Sequence, residues 1–254
     1  MKRQGGSTLI IVLIVMVLVI LIGTLAIKSG IIGLKIATNS QVRSLLLENS
    51  NSALFNVEDP KQVARQLALD GMFSYFNAAD NGNDELVFCY RPSSMNTFYS
   101  MDKASVIEQD GKTTKMGITG FCKAGEFSSG RSAVQAQIYL KKNIEENATP
   151  FSTSPSGTSL GQADIPIVSN NIGVTVISIL PSYVGASDTE VEACFKKTSI
   201  LENAKTGDCP TSSKTNTDPA KQRCTVEQCF ENLDIPYNLQ HADYIVGGSP
   251  RLKP

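Results

Sequence analysis

From Leu9 to Ile22 every residue is a large aliphatic or Met, and no charge interrupts the chain between Ser7 and Ile27. Apolar residues on all sides of a 3.6-residue repeat predict a helix with no polar face. Those 21 residues would extend about 32 Å at ~1.5 Å per residue, matching a hydrocarbon layer of ~30 Å. The pattern then changes. Ile31, Leu34, Thr38, Val42, Leu45, Leu46 and Ala53 recur at steps of three or four, with Lys35, Asn39, Arg43 and Glu48 between them. This predicts an amphipathic continuation, giving one helix from about Ser7 to about Phe55, roughly 70 Å long. Gly23, Gly30 and Gly33 are the points where it would bend or melt.

A second helix is expected from "VEDPKQ". Asp59 caps, Pro60 suits the first helical position and Gln62 completes a capping box. Ala64, Leu67, Ala68, Gly71, Met72, Tyr75, Phe76 and Ala79 follow at helical spacing. Strands come next. "LVFCY" is short and apolar, and "VIEQDGKTTKM" reads as a hairpin turning at Asp110-Gly111. "AVQAQIYLKK" alternates, with Val134, Ala136, Ile138 and Leu140 on one face and Gln135, Gln137, Tyr139 and Lys141 on the other. "IGVTVISIL" is apolar on both faces, as a central strand would be. "NATPFSTSPSGTSLGQ" reads as a loop. From Ser187 to about Asp234 periodicity fades, predicting a polar, cysteine-crowded loop with little core.

Charge narrows the function classes. The chain has 23 Lys+Arg against 24 Asp+Glu, which lacks the basic face that phosphate backbones attract, so no direct nucleic-acid contact is expected. Six cysteines (Cys89, Cys122, Cys194, Cys209, Cys224, Cys229) follow the apolar run. Without a C-x-x-C pair they read as disulfides of an oxidising compartment. The sequence favours Cys89–Cys122 between neighbouring strands, and the four late cysteines pairing among themselves in any of three arrangements. "DNGNDE" (Asp80 to Glu85) groups carboxylates as a Ca²⁺ loop would, but it departs from the EF-hand pattern and reads as a helix-to-strand turn. His241 is the single imidazole and lacks a recognisable nucleophile. "SMDK" (Ser100 to Lys103) matches S-x-x-K without its companion motifs. The expectation is a chain without catalytic residues, metal or cofactor.

The N-terminus decides among three readings. A secretory signal would have a shorter apolar core and a cut near "TLA", Thr24 to Ala26. A plain signal anchor on a periplasmic protein fits the length but leaves "GGS" unexplained. "KRQGG" followed at once by "STLIIVLIVMVLVILIG" resembles the class III signal of type IV prepilins, most closely that of minor pilins of the PilX type.

This resemblance implies that a prepilin peptidase cuts after Gly6 and methylates Ser7 as the new N-terminus. Gly5 is a second candidate. The leader is then residues 1–6, the membrane and assembly half of the helix 7–27, its amphipathic half 28–56, and the head 57–254 with a Cys-rich region at 187–234. Ile11 stands where most pilins carry a glutamate that pairs with a neighbour's buried ammonium. A subunit lacking that carboxylate suits a fibre tip.

The implied fold is α+β and pilin-like, with the long helix packed by its second half on an antiparallel sheet and a disulfide-stapled C-terminal region exposed at the surface. The implied function is priming or capping a type IV pilus at its tip, in support of biogenesis, twitching motility, and adhesion or DNA uptake. The implied partners are other minor pilins, the major pilin and a large tip adhesin. The location would be the bacterial inner membrane, single-pass with the head in the periplasm, and after assembly the pilus tip at the cell surface. The alternative is a tip pseudopilin of type II secretion, a class that usually carries a mainly helical insertion and calcium ligands.

Overall fold

The computed structural model describes residues 7–59, 62, 65–66, 68, 71–92, 100–128, 133–143, 170–181, 186–200, 204 and 224–246. The chain divides into two units, Met1–Ser44 and Leu45–Pro254. One element, helix α1, is 51 residues long and runs from Ser7 to Val57 without a break at Gly23, Gly30 or Gly33. These glycines cost helix propensity, but nothing in the ladder opens there.

The second unit is built on a five-stranded antiparallel sheet. Its strands are β1 (Glu85–Cys89), β2 (Ser105–Ile107), β3 (Gln135–Lys142), β4 (Asn170–Ile179) and β5 (Tyr237–Val246), in the order β2-β1-β3-β4-β5. Because side chains alternate along a strand, residue parity assigns each to one of two faces. Leu86 and Phe88 of β1, Ala136, Ile138 and Leu140 of β3, and Ile172, Val174 and Val176 of β4 form the first face. They pack with Ala53 and Val57 of α1 and with Met72, Phe73 and Phe76. Val87 and Cys89 of β1, Tyr139 of β3 and Ile177 and Ile179 of β4 form the second. That face is covered by helices α2 (Asp188–Phe195) and α3 (Val226–Asn232) through Val191, Phe195, Val226 and Phe230. The centre of the sheet is therefore enclosed on both sides, with β1 buried at every position, while the second face stays open at His241 and Asp243 of β5.

Several expectations are corrected. The buried stripe of α1 is Leu46, Ser50, Ala53 and Val57, while Ile31, Leu34 and Leu45 are exposed. The predicted second helix does not continue through Ala79: Gly71 is extended, and the tighter 3₁₀ geometry follows at Met72–Asn77 and Ala79–Asn81. A Cβ at Gly71 would collide with the carbonyls of Arg65 and Gln66, so the chain doubles back too closely for a side chain. Positions 60, 61, 64 and 67 lie outside the described residues.

At Asp110-Gly111 the chain does turn, with Gly111 at a φ of 73°, but no return strand forms. The Glu108 carboxylate accepts from the amides of Thr114 and Lys115, groups that a second strand would need for its ladder. Gly120 instead brings the following segment hard against Val87 and Ser105, where a Cβ would collide with backbone. In β3 the polar positions Gln135 and Gln137 are buried rather than solvated. Gln137 Nε2 donates to the Phe195 carbonyl at 2.6 Å, which repays its burial.

The described part of 187–234 is likewise no polar loop. It forms two capped helices with Phe195 and Phe230 fully buried and their rings 5.1 Å apart, edge to face. The "NATPFSTSPSGTSLGQ" segment, with Asn147, lies outside the described residues.

Candidate functional site

In the first unit, twenty large aliphatic side chains from Leu9 to Ile36 are exposed. At about 1.5 kcal/mol each, hydrating them would cost roughly 30 kcal/mol, so water is not their working environment. The helix is long and apolar enough to cross a membrane. Two of its hydroxyls are satisfied within the helix: Thr24 Oγ1 donates to the Leu21 carbonyl at 2.9 Å and Thr38 Oγ1 to that of Leu34 at 3.0 Å. Ile11 is one of the exposed aliphatics, and the first carboxylate of α1 is Glu48. Gly6 lies outside the described residues. Ser7 opens α1.

In the head, two bridges are set by the packing of the second face. Cys89–Cys122 joins β1 to a loop, not to a neighbouring strand, and Cys194–Cys229 joins α2 to α3. Cys224 is also disulfide-bonded, and Cys209 lies outside the described residues. The two joined helices start from reciprocal caps: Ser187 with Glu190, and Thr225 with Gln228. Each S/T-x-x-E/Q box was present in the sequence as a start signal.

Beside Cys89 lies a cavity of about 320 Å³ lined by Arg91, Asp102, Lys103, Lys123 and Glu126 among others. Two of its charges are matched within the wall. Arg91 is ion-paired with Glu126, whose carboxylate also accepts from the Lys123 amide at 3.1 Å. Ser100, the first residue of the S-x-x-K match, donates to Asp102.

The "DNGNDE" carboxylates do not converge. Asp84 faces Lys115 Nζ at 2.6 Å and the Tyr75 hydroxyl at 2.8 Å. Glu85 points to the other side, where its oxygens accept from Ser199 N at 3.0 Å and Ser199 Oγ at 2.9 Å. Among the described residues no group of three or more His, Cys, Asp or Glu could hold a metal ion.

Glu85 is the buried titratable group of this region. Desolvation pushes its carboxyl above the usual range, and the hydrogen bonds from Ser199 only partly oppose this. Folding therefore shifts its balance toward the neutral form relative to the unfolded chain. The stability it contributes is present below the ordinary glutamate value of ~4.3 and is lost as pH rises through the raised folded value. Glu85→Gln keeps an acceptor for Ser199 and removes the buried charge. The melting-temperature difference between the variant and wild type should grow in the variant's favour from pH 4 to pH 8. The gain is about 2–4 °C per kcal/mol of relief in a domain this size, read by thermal melts across that range.

The last strand, β5, gave no sequence signal strong enough to identify it, and it carries His241. The ring lies between Thr175 Oγ1, 2.9 Å from Nδ1, and Asp243 Oδ1, 3.2 Å from Nε2. Thr, His and Asp thus stand in line, a group that sequence reasoning missed because Thr175 is 66 residues away. The His241 side chain is half exposed and Asp243 more so, on an open sheet face that does not exclude water. What the arrangement does visibly is tie β4 to β5. Gly173 makes room for it, since a Cβ there would sit 2.9 Å from the imidazole Cε1.

No family model matches the chain, and no curated protein or solved structure matches it either.

Proposed function

We propose that the chain is a non-enzymatic minor pilin that primes or caps a type IV pilus at its tip. The observation that carries this reading is the placement of the Gly6-Ser7 junction directly before an unbroken apolar helix, with no spacer between them. An ordinary anchor needs no such junction. A subunit processed there would keep the helix and lose only Lys2 and Arg3 among its charges. That leaves 21 cationic against 24 anionic residues, a net charge of −3.

The helix would sit in the inner membrane before assembly and against like helices afterwards. Lipid is as apolar as a neighbouring helix, so close packing and charge pairing would decide between the two. Ile11 suits a position with no subunit ahead presenting an ammonium group. The α+β head, with its sheet covered by α1 on one face and by disulfide-linked helices on the other, suits the pilin-like layout.

The deciding measurement is mass spectrometry of the mature N-terminus from the native host. The expected result is a chain beginning at an N-methylated Ser7. An intact Met1, or a start near Ala26, would remove the prepilin reading altogether. In a deletion strain surface pili should be lost while protein secretion persists. The reverse outcome would make the chain a tip pseudopilin of a secretion system.

A further inference from the structure

The two edges of the sheet are unlike. β2 is three residues long, too short to template another strand. β5 is ten residues long, and all ten pair with β4 in continuous register, with no bulge. Its outer edge is unpaired among the described residues. Natural edge strands are usually blunted by lysine, proline, a bulge or brevity, and β5 has none of these.

The sequence of that edge is complementary to itself. In an antiparallel pairing centred on Ala242, His241 stands opposite Asp243 of a second copy, and Asp243 opposite its His241. Gln240 meets Tyr244 on either side, and Leu239 takes the position across from Ile245. A shift of the centre by one residue in either direction would set His241 or Asp243 opposite its own copy. Asp243 directly opposite its own copy is unfavourable on a sheet, whereas an imidazole opposite a carboxylate can hydrogen-bond to it, so these side chains favour the register centred on Ala242.

We propose that β5 is a homodimerisation edge through which two heads join antiparallel, making one ten-stranded sheet with the His241–Asp243 pairs at its centre. The inference uses the head alone and stands or falls separately from the pilus reading. A single strand pair buries less than the ~1,200–2,000 Å² of stable interfaces, so the dimer is weak and forms at high local concentration.

The test uses the full chain in detergent micelles, with mass measured by sedimentation from 1 to 100 µM and folding checked by circular dichroism. Wild type should show a concentration-dependent dimer. His241→Asp should weaken it roughly 3- to 30-fold, the effect of two opposed like-charge pairs. Adding Asp243→Lys to that variant should restore it. A photo-crosslinking residue at position 244 should join to residues 238–242 of the second copy.

A wild-type monomer throughout would overturn the proposal. So would a dimer indifferent to both variants, which would place association on α1. Crosslinking from position 244 to a different protein in host membranes would also overturn it, by giving the edge another occupant.

Discussion

Replacing Cys194 and Cys229 together by alanine should lower the stability of the head by about 4 kcal/mol, the loop-entropy value for a closure of this length. The two positions are 35 residues apart, and both sulfurs are fully buried. Helices α2 and α3 have eight and seven residues, below the length at which isolated helices persist in water. They are held by their caps, by Phe195 and Phe230, and by this bridge. Since domains are stable by only ~5–15 kcal/mol, the loss would be a large share of the total. Chemical denaturation should show an earlier midpoint, and hydrogen exchange should rise first in α2 and α3 while β1 and β3 stay protected. A change below about 1 kcal/mol would mean that packing alone secures the second face.

Arginine at both Val15 and Leu18 should lower the share of the chain that inserts across the membrane. Both positions lie deep in the exposed apolar run of α1. One arginine at a bilayer centre costs ~2.5–3.5 kcal/mol on insertion scales, so two cost roughly 5–7 kcal/mol. Neither site has a carboxylate on its own helix for relief, because Glu48 is the first. Fractionation and alkaline extraction of membranes would read the result. The control, Val15→Leu with Leu18→Val, should leave the distribution unchanged. An inserted share unchanged by the two arginines would show that this stretch of α1 does not cross the bilayer.

The features legible in advance were those carried by long, uniform patterns. Fourteen apolar residues in succession left no alternative to an apolar helix, and the short runs at Leu86 and Ile172 left little alternative to buried strands. The Cys89–Cys122 pairing was expected between neighbouring strands; the bridge forms, but Cys122 lies in a loop. What escaped was decided by partners distant in sequence. Gln137 looks solvated until α2 supplies the Phe195 carbonyl, and Gln135 until the loop at Lys123 supplies another. Tyr237–Val246 alternates poorly because its polar residues Asn238 and Gln240 lie toward α1 while His241 and Asp243 lie across from them. The predicted second helix failed at Gly71, where close backbone approach outweighed helical spacing. The hairpin failed because one side chain, Glu108, took the amides of the would-be return strand. Only the capping boxes at Ser187 and Thr225 were plainly written and left unread.

The first-face core joins residues that leave the ribosome far apart in time. Ala53 and Val57 emerge early, yet they pack with Val174 and Val176, more than a hundred residues later. At ~5–20 residues per second, the apolar stripe of α1 waits roughly 5–25 s for its cover. Until then the chain carries an uncovered apolar stripe, a half-built object prone to stick to whatever it meets.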